Sequence, residues 1–355
     1  MNKDISASEF TICSVSYGSK ILLDYNWRLT TEINKDADIN WLVAENGHYK
    51  QENILTTDDK RFKVFEGIKK VHGMTSNYHH ALGMNRLSQK VKTRFVFFLD
   101  PDFYIIRKNW INDIMQYMQS KGLTFFGAPW HPKHYNKLRY FPCVHCLCVD
   151  QSKVNLKLFD FCPKISNISN KKQKHRRIFS SWFNELHSKN NALGAFLAYV
   201  DHIFNIRYRS FIEQSNDTGY KIIKKYRYSN IFKNECVATV YNPKYNILSK
   251  LVDQCLPDKL SMLPKRKGYY TKRGTFIENY VSSEKPDWEE FVWENSPFGF
   301  HIRGYPKLKR KEIKLNDCYK QIEIIINSVI KNVTHKTHDL NTRYKQKNRI
   351  LKELV

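Results

Sequence analysis

Glycine and proline are scarce, at 13 and 11 of 355 residues. So few chain breakers exclude a largely disordered or low-complexity chain. Long apolar runs are missing as well. The longest nearly apolar stretch, residues 192–200, is about half of what a membrane-spanning helix needs. Residues 1–9 lack the apolar centre of a secretory signal, which predicts a cytoplasmic protein. Acidic residues are the minority charge: 34 Asp and Glu stand against 59 Lys and Arg, a net +25. Such a balance draws a protein toward anions, whether nucleic acid, acidic lipid headgroups or a phosphorylated substrate. No pair of cysteine motifs at zinc-finger spacing occurs among the eight cysteines. The tight group Cys143, Cys146 and Cys148, with His145 between them, reads as a buried strand carrying small soft side chains. In that strand Cys146 and Cys148 share one face, and Cys143 and His145 the other.

Apolar residues make up 41% of the chain and aromatics 14%, enough for a substantial core. The first half alternates strand and helix signals. Strands are predicted over 10–17, 39–44, 62–65, 94–99 and 123–126. Helices are predicted over 21–29, 76–91 and 110–119, the last closed by Gly122. This alternation predicts an α/β fold: a Rossmann-like, mostly parallel sheet with helices on both faces. Ligands of such sheets sit at the carboxyl ends of the strands. Three polar clusters fall at such ends: Tyr17-Gly18-Ser19, Glu45-Asn46-Gly47 and Asp100-Pro101-Asp102.

An apolar strand that stops at Asp-Pro-Asp puts two carboxylates at the sheet rim, with Pro101 stiffening the turn. Two hard oxygen donors this close suit Mg2+ or Mn2+. A divalent ion there is able to clamp a diphosphate and offset charge on a leaving group. The same residues also suit a solvated turn or a cap for the helix at Trp110.

Residues 10–103 resemble the nucleotide-binding half of the family-2 glycosyltransferases of the GT-A fold. The resemblance lies in FTICSVSYGS, LVAENG, HHALGMN and FVFFLDPD. It implies that Ser16 and Tyr17 line the base or ribose pocket, that Glu45 with Asn46 contacts the nucleoside, and that Asn85 shapes the diphosphate pocket. It implies that Asp100 faces ribose and metal, and that Asp102 holds the metal. Glu45 stands where the family usually has Asp, and His79 and His80 where smaller residues are usual. The resemblance further implies a downstream acidic base, for which Asp217 in SNDTGYKI fits, with Glu213 as rival. Asp217 also suits a helix cap or Asx-turn. It implies a C-terminal histidine on the metal, here His301 in SPFGFHIRG, with Arg303 placed to pair with the diphosphate.

Trp130, Arg139 and His145, in the stretch after the fifth strand, are sugar- and phosphate-friendly types and are candidates for the acceptor side. The expected organisation is a GT-A domain over 1–305. Its nucleotide-sugar half is 1–150 and its acceptor half 151–305, with a basic helical insertion near 163–210. A basic helical tail follows over 306–355. The insertion reads either as a helical layer on the sheet or as an interfacial helix on an anionic membrane. The expected activity moves a sugar from a nucleotide-diphosphate sugar, UDP-linked by preference, to a glycan, lipid-linked or surface-polysaccharide acceptor, with inversion. Two rivals remain. One is a nucleic-acid-binding protein, although no RRM, zinc-finger or helix-turn-helix signature occurs. The other is a sugar nucleotidyltransferase, although SYGSKILLD lacks the Gly-rich loop which that chemistry uses.

Overall fold

The computed structural model describes residues 10–47, 59–132, 134, 137–164, 214–241, 254–255, 269–271, 276–277, 288–302 and 315–332. The predicted insertion near 163–210 lies almost wholly outside these residues. So do Glu213, Arg303 and the tail beyond 332.

The leading strands β1 (Phe10–Ser16), β2 (Asn40–Glu45), β3 (Phe62–Glu66) and β4 (Phe95–Leu99) are all parallel, in the order β3-β2-β1-β4. The sheet continues through β7 (Cys146–Asp150), β6 (Phe125–Gly127) and β8 (Asn234–Cys236) to seven strands. The exception to the parallel course is β7, which runs antiparallel to both β4 and β6. The sheet is otherwise parallel, so the fold is mixed α/β with a mostly parallel central sheet.

Strands β1 and β4 are buried along their whole length, on both faces. Phe95, Phe97 and Leu99 face a core with helix α1 (Lys20–Ile33) and helix α3 (Trp110–Lys121). Val96 and Phe98 face the other core, with α2 (Ser76–Ser88) and α4 (Tyr220–Tyr226). Helices therefore cover both faces. Strand β7 divides the same way: Cys146 and Cys148 join the first core, Leu147 and Val149 the second. Burial raises both thiols well above their ordinary pKa. Buried side chains with Cys146 and Cys148 on one face are what the strand reading predicted, but the strand begins at Cys146, so Cys143 and His145 precede it. Gly122 ends α3 in the left-handed conformation, at φ 64°.

Helix α5 (residues 315–332) belongs to the first core. Its Ile322, Ile325 and Ile326 are fully buried, and Asn327 accepts a hydrogen bond from Arg28 on α1. This part of the predicted tail is thus built into the domain.

A second sheet was not anticipated from the sequence. It has five strands in the order β10 (Tyr270–Thr271), β9 (Ala238–Val240), β11 (Glu289–Trp293), β12 (Ser296–His301) and β5 (Phe103–Ile105). Strands β11 and β12 form a hairpin whose two turn residues, Glu294 and Asn295, both have positive φ, as the favoured tight hairpin turn requires. Three rings lock β12 onto its surroundings: Phe300 lies flat between Trp288 and Tyr104. Strand β5 starts at Phe103, directly after the Asp100-Pro101-Asp102 turn. Its pairing with β12 sets Phe103 against His301.

Gly299 sits in β12 where β5 comes closest. A Cβ there would stand 2.5 Å from the Tyr104 carbonyl oxygen and 3.2 Å from Ile105 Cα. Glycine in a strand interior marks just such an approach of another backbone. Gly299→Ala is expected to cost about 1–3 kcal/mol, the usual penalty of overpacking. An unchanged urea midpoint would show that β5 and β12 are not in contact.

Candidate metal and nucleotide site

The end of β4 is held from several sides. The Asp100 amide donates to the His145 carbonyl at 3.0 Å, and the Phe103 amide donates back to the Asp100 carbonyl. The side-chain amide of Asn26, buried on α1, donates to the carbonyls of Pro101 (2.9 Å) and Phe103 (3.1 Å). The Ile302 amide donates to the Asp102 carbonyl at 2.9 Å. The turn is thus fixed by helix α1, by the segment before β7 and by the end of β12. Its two carboxylates are presented at the rim, about one-quarter and one-fifth exposed.

Asp100, Asp102 and His301 offer ligand atoms that all lie within 4.8 Å of one another. His301 Nε2 is 3.2 Å from Asp102 Oδ1. Two donors on opposite sides of a Mg2+-sized ion stand about 4 Å apart, so small side-chain rotations close this cluster on a cation. The set of two carboxylates and one imidazole suits Mn2+ and Mg2+ chemistry. Charge points the same way. Burial pushes the Cys318 thiol up to about 12, and the Asp102 carboxylate adds to that rise. Burial also raises the Tyr17 phenol, with smaller pushes from Asp100 and Glu45 against a hydrogen bond from Asn46. Three carboxylates, Glu45, Asp100 and Asp102, thus stand at or just past the ends of β2 and β4 in a chain of net +25.

The β1 and β2 ends form the adjoining floor. Glu45 Oε1 accepts from the Gly18 amide (3.2 Å) and the Gly47 amide (2.8 Å), so one carboxylate oxygen organises both turns. The Ser16 hydroxyl accepts from the Ser19 amide, and Ser16 is fully buried. The Asn46 side chain accepts from the Ile68 amide and donates to the His79 carbonyl. Ser16 and Asn46 thus shape the floor from within. The Tyr17 ring packs edge-on against His79, 5.2 Å away. Asn85 lies apart from this group: its amide accepts from Phe161 and donates to the Cys162 sulfur, tying α2 to the 161–162 segment.

Of the acceptor candidates, His145 reaches the Asp100, Asp102 and His301 cluster, and Trp130 reaches His145. The His145 ring stacks on His301 at 4.8 Å and on Phe103 at 5.7 Å. Trp130 meets His145 edge-on at 5.5 Å. Arg139 is buried and donates to the Pro132 carbonyl. Asp217 is buried and paired with Lys137, whose ammonium also lies 5.0 Å over the Trp130 ring. Asp217 does not cap α4: Gly219 occupies the cap position and no side chain bonds there. The segment around Asp217 docks instead on the first turn of α2. Asn77 donates to the Asn216 carbonyl, and the Thr218 hydroxyl donates to the Asn77 carbonyl.

Sequence reasoning missed three residues of the site. His80 lies 3.5 Å from Asp100; it was noticed only as an unusually large residue. Asn26 was hidden among helical positions. Glu289, fully buried, lies 3.5 Å from His301 Nδ1. Two adjacent acids inside the aromatic run WEEFVW were the available signal, because carboxylates are rarely buried without a task.

Fold and site together define a mixed α/β protein with a two-carboxylate, one-imidazole cluster at the rim of its parallel strands. No protein-family model matches the chain, and no curated protein matches it. Among solved structures, it is similar to residues 1–349 of TarS from S. aureus, with 16% identity and TM-score 0.26 over 34% of this chain and 35% of that one. It is similar to the mannosyltransferase PcManGT from Pyrobaculum calidifontis, solved with GDP-Man and Mn2+, with 8% identity and TM-score 0.32 over 43% and 48%. It is similar to the galactosyltransferase LgtC, solved with donor and acceptor sugar analogues, with 13% identity and TM-score 0.29 over 41% and 58%. The chain thus spans about one-third to three-fifths of these proteins. Likeness this loose carries no argument about function, which rests on the site.

A ligand that binds the native state stabilises it by about 2.7 kcal/mol at a hundred times its Kd. Mn2+ titration is expected to raise the melting temperature of the native chain and of Cys143→Ala. Asp102→Ala and His301→Ala are each expected to lose that rise. A full Mn2+ shift in Asp102→Ala would place the cation elsewhere.

Proposed function

We propose that the protein is a metal-dependent glycosyltransferase of the GT-A type. It would transfer a sugar from a nucleotide-diphosphate donor, UDP-linked by preference, to a glycan or lipid-linked acceptor with inversion at the anomeric carbon. The observation that carries this reading is the convergence of Asp100, Asp102 and His301 beside the carboxyl ends of β1, β2 and β4. Ligand chemistry in such sheets belongs at that edge. The motif resemblance of residues 10–103 supports the same assignment.

Asp100, Asp102 and His301 would hold Mn2+ or Mg2+. The bound cation supplies neutralisation of charge on the leaving diphosphate. Tyr17 and Glu45 would flank the nucleoside, over a floor that Ser16 and Asn46 shape. Arg303, two residues beyond His301 in sequence but outside the described residues, would pair with the diphosphate. Trp130 offers an aromatic face for stacking on a sugar ring, with His145 behind it and Arg139 bracing the loop.

Inverting transfer breaks the bond from the anomeric carbon to the diphosphate oxygen and forms one to the acceptor oxygen. The acceptor hydroxyl must lose its proton to a base. Asp217 is the carboxylate proposed for that proton. Lys137 provides the counter-charge that a buried carboxylate needs, and the same ammonium lies over the Trp130 ring. Among the described residues, no helix is long and apolar enough to cross a membrane.

A screen of nucleoside diphosphates, each with and without Mn2+, should show joint stabilisation by one of them, UDP being expected. Stabilisation by random oligonucleotides alone, falling steeply with salt, would overturn the reading in favour of nucleic-acid binding. Asp217→Asn is expected to lower transfer by about 10²- to 10⁴-fold, the range of general-base contributions, while Mn2+-dependent donor binding stays within twofold. Transfer at the native rate would move the base elsewhere.

A further inference from the structure

We propose that Glu289 is a two-headed positioning carboxylate. One oxygen orients the metal ligand His301 and the other holds His134, so the cation site and the loop between β6 and β7 are set together. The inference rests on the metal reading above and concerns residues outside the ligand set.

Strand register creates the arrangement. Glu289 on β11 is the partner of His301 on β12, and Phe103 on β5 is the partner of His301 on its other side. Directly opposed residues point to the same face of a sheet, so the carboxylate, the imidazole and the phenyl ring form one row. The His301 ring is 3 % exposed and is walled in by Phe103 (5.5 Å) and by the stacked ring of His145 (4.8 Å). Its Nε2 faces Asp102 at 3.2 Å and its Nδ1 faces Glu289 Oε2 at 3.5 Å. The second contact is long for a hydrogen bond and within reach of one after a small shift. A carboxylate behind Nδ1 selects the tautomer whose Nε2 lone pair points outward, and makes that nitrogen a stronger donor to a cation.

The other oxygen, Oε1, is 2.7 Å from His134 Nε2. His134 lies in the loop that also carries Trp130, whose ring is 5.8 Å away, and Lys137, which reaches Asp217. Glu289 is completely buried. A buried carboxylate costs several kcal/mol unless it is compensated, and two imidazoles at its two oxygens provide compensation. A purely space-filling or hydrogen-bonding role would be met equally by glutamine. The charge is what a metal-backing role adds.

Mn2+ affinity, read from the electron paramagnetic resonance of the free ion, tests the proposal in the native chain, Glu289→Gln and His134→Gln. Backbone hydrogen exchange over residues 128–145 is followed alongside, with and without Mn2+. Glu289→Gln is expected to raise the Mn2+ Kd about 10- to 100-fold, the usual cost of losing a partner behind a metal-bound histidine, with the metal-free melting temperature nearly unchanged. Mn2+ is expected to slow exchange of the loop in the native chain, and to do so far less in His134→Gln. A native chain that takes up no Mn2+ overturns the metal reading itself. Native uptake with an unchanged Kd in Glu289→Gln overturns this inference alone. If Glu289→Gln does not fold, His134→Gln decides, since that side chain is partly exposed. Loop protection by Mn2+ equal to the native chain's would overturn the coupling.

Discussion

The pairing of β5 with β12 is the constraint on which the site depends. β5 is three residues long and follows the Asp-Pro-Asp turn directly. By pairing with β12 it places His301 within 3.2 Å of a carboxylate 199 residues earlier in the chain. Loop closure over such a distance is entropically costly, although the cost grows only slowly with length. The structure meets it with buried aromatic area: Tyr104, Phe300 and Trp288 stack in sequence, and Phe103 packs on Phe291. Gly299 is what lets the two backbones come this near.

Around that contact, polar groups are used twice. Glu45 orders two turns through one oxygen. Asn46 joins the ends of β1 and β2, the segment after β3 and helix α2. Asn26 bonds two carbonyls of the metal turn from a helix on the far side. Each buried polar group is costly without partners, so these bonds are specific as well as stabilising. The outcome is a rim at which Glu45 and the Asp100-Pro101-Asp102 turn are held by hydrogen bonds, in a chain of net +25. In the proposed function, a divalent cation would offset the charge of Asp100 and Asp102 and admit an anionic diphosphate beside them.

Much of the first half was legible in the sequence. Strands β1, β2, β3 and β4 and helices α1, α2 and α3 fall where periodicity places them, to within a few residues. Their signals are strong because buried parallel strands are rich in apolar and β-branched residues, and because Gly122 marks a helix end. Strand β5 was not legible: three residues after a turn carry no period. The antiparallel course of β7 was equally hidden, since an apolar strand reads the same in either direction. Asp217 was open between cap and base, and the fold removes the cap by giving that position to Gly219.

Local patterning therefore determined the sheet, its covering helices and the placing of Asp100 and Asp102 at a strand end, because burial and turn chemistry act over a few residues. The family resemblance pointed to His301, but only tertiary structure brings it within 4.8 Å of Asp100 and Asp102 and sets Glu289 behind it. Tertiary structure also decided that His80 faces Asp100, and that Asn85 turns away toward Cys162. Those outcomes follow from strand register and helix packing between segments tens to hundreds of residues apart, which no short window of the chain encodes.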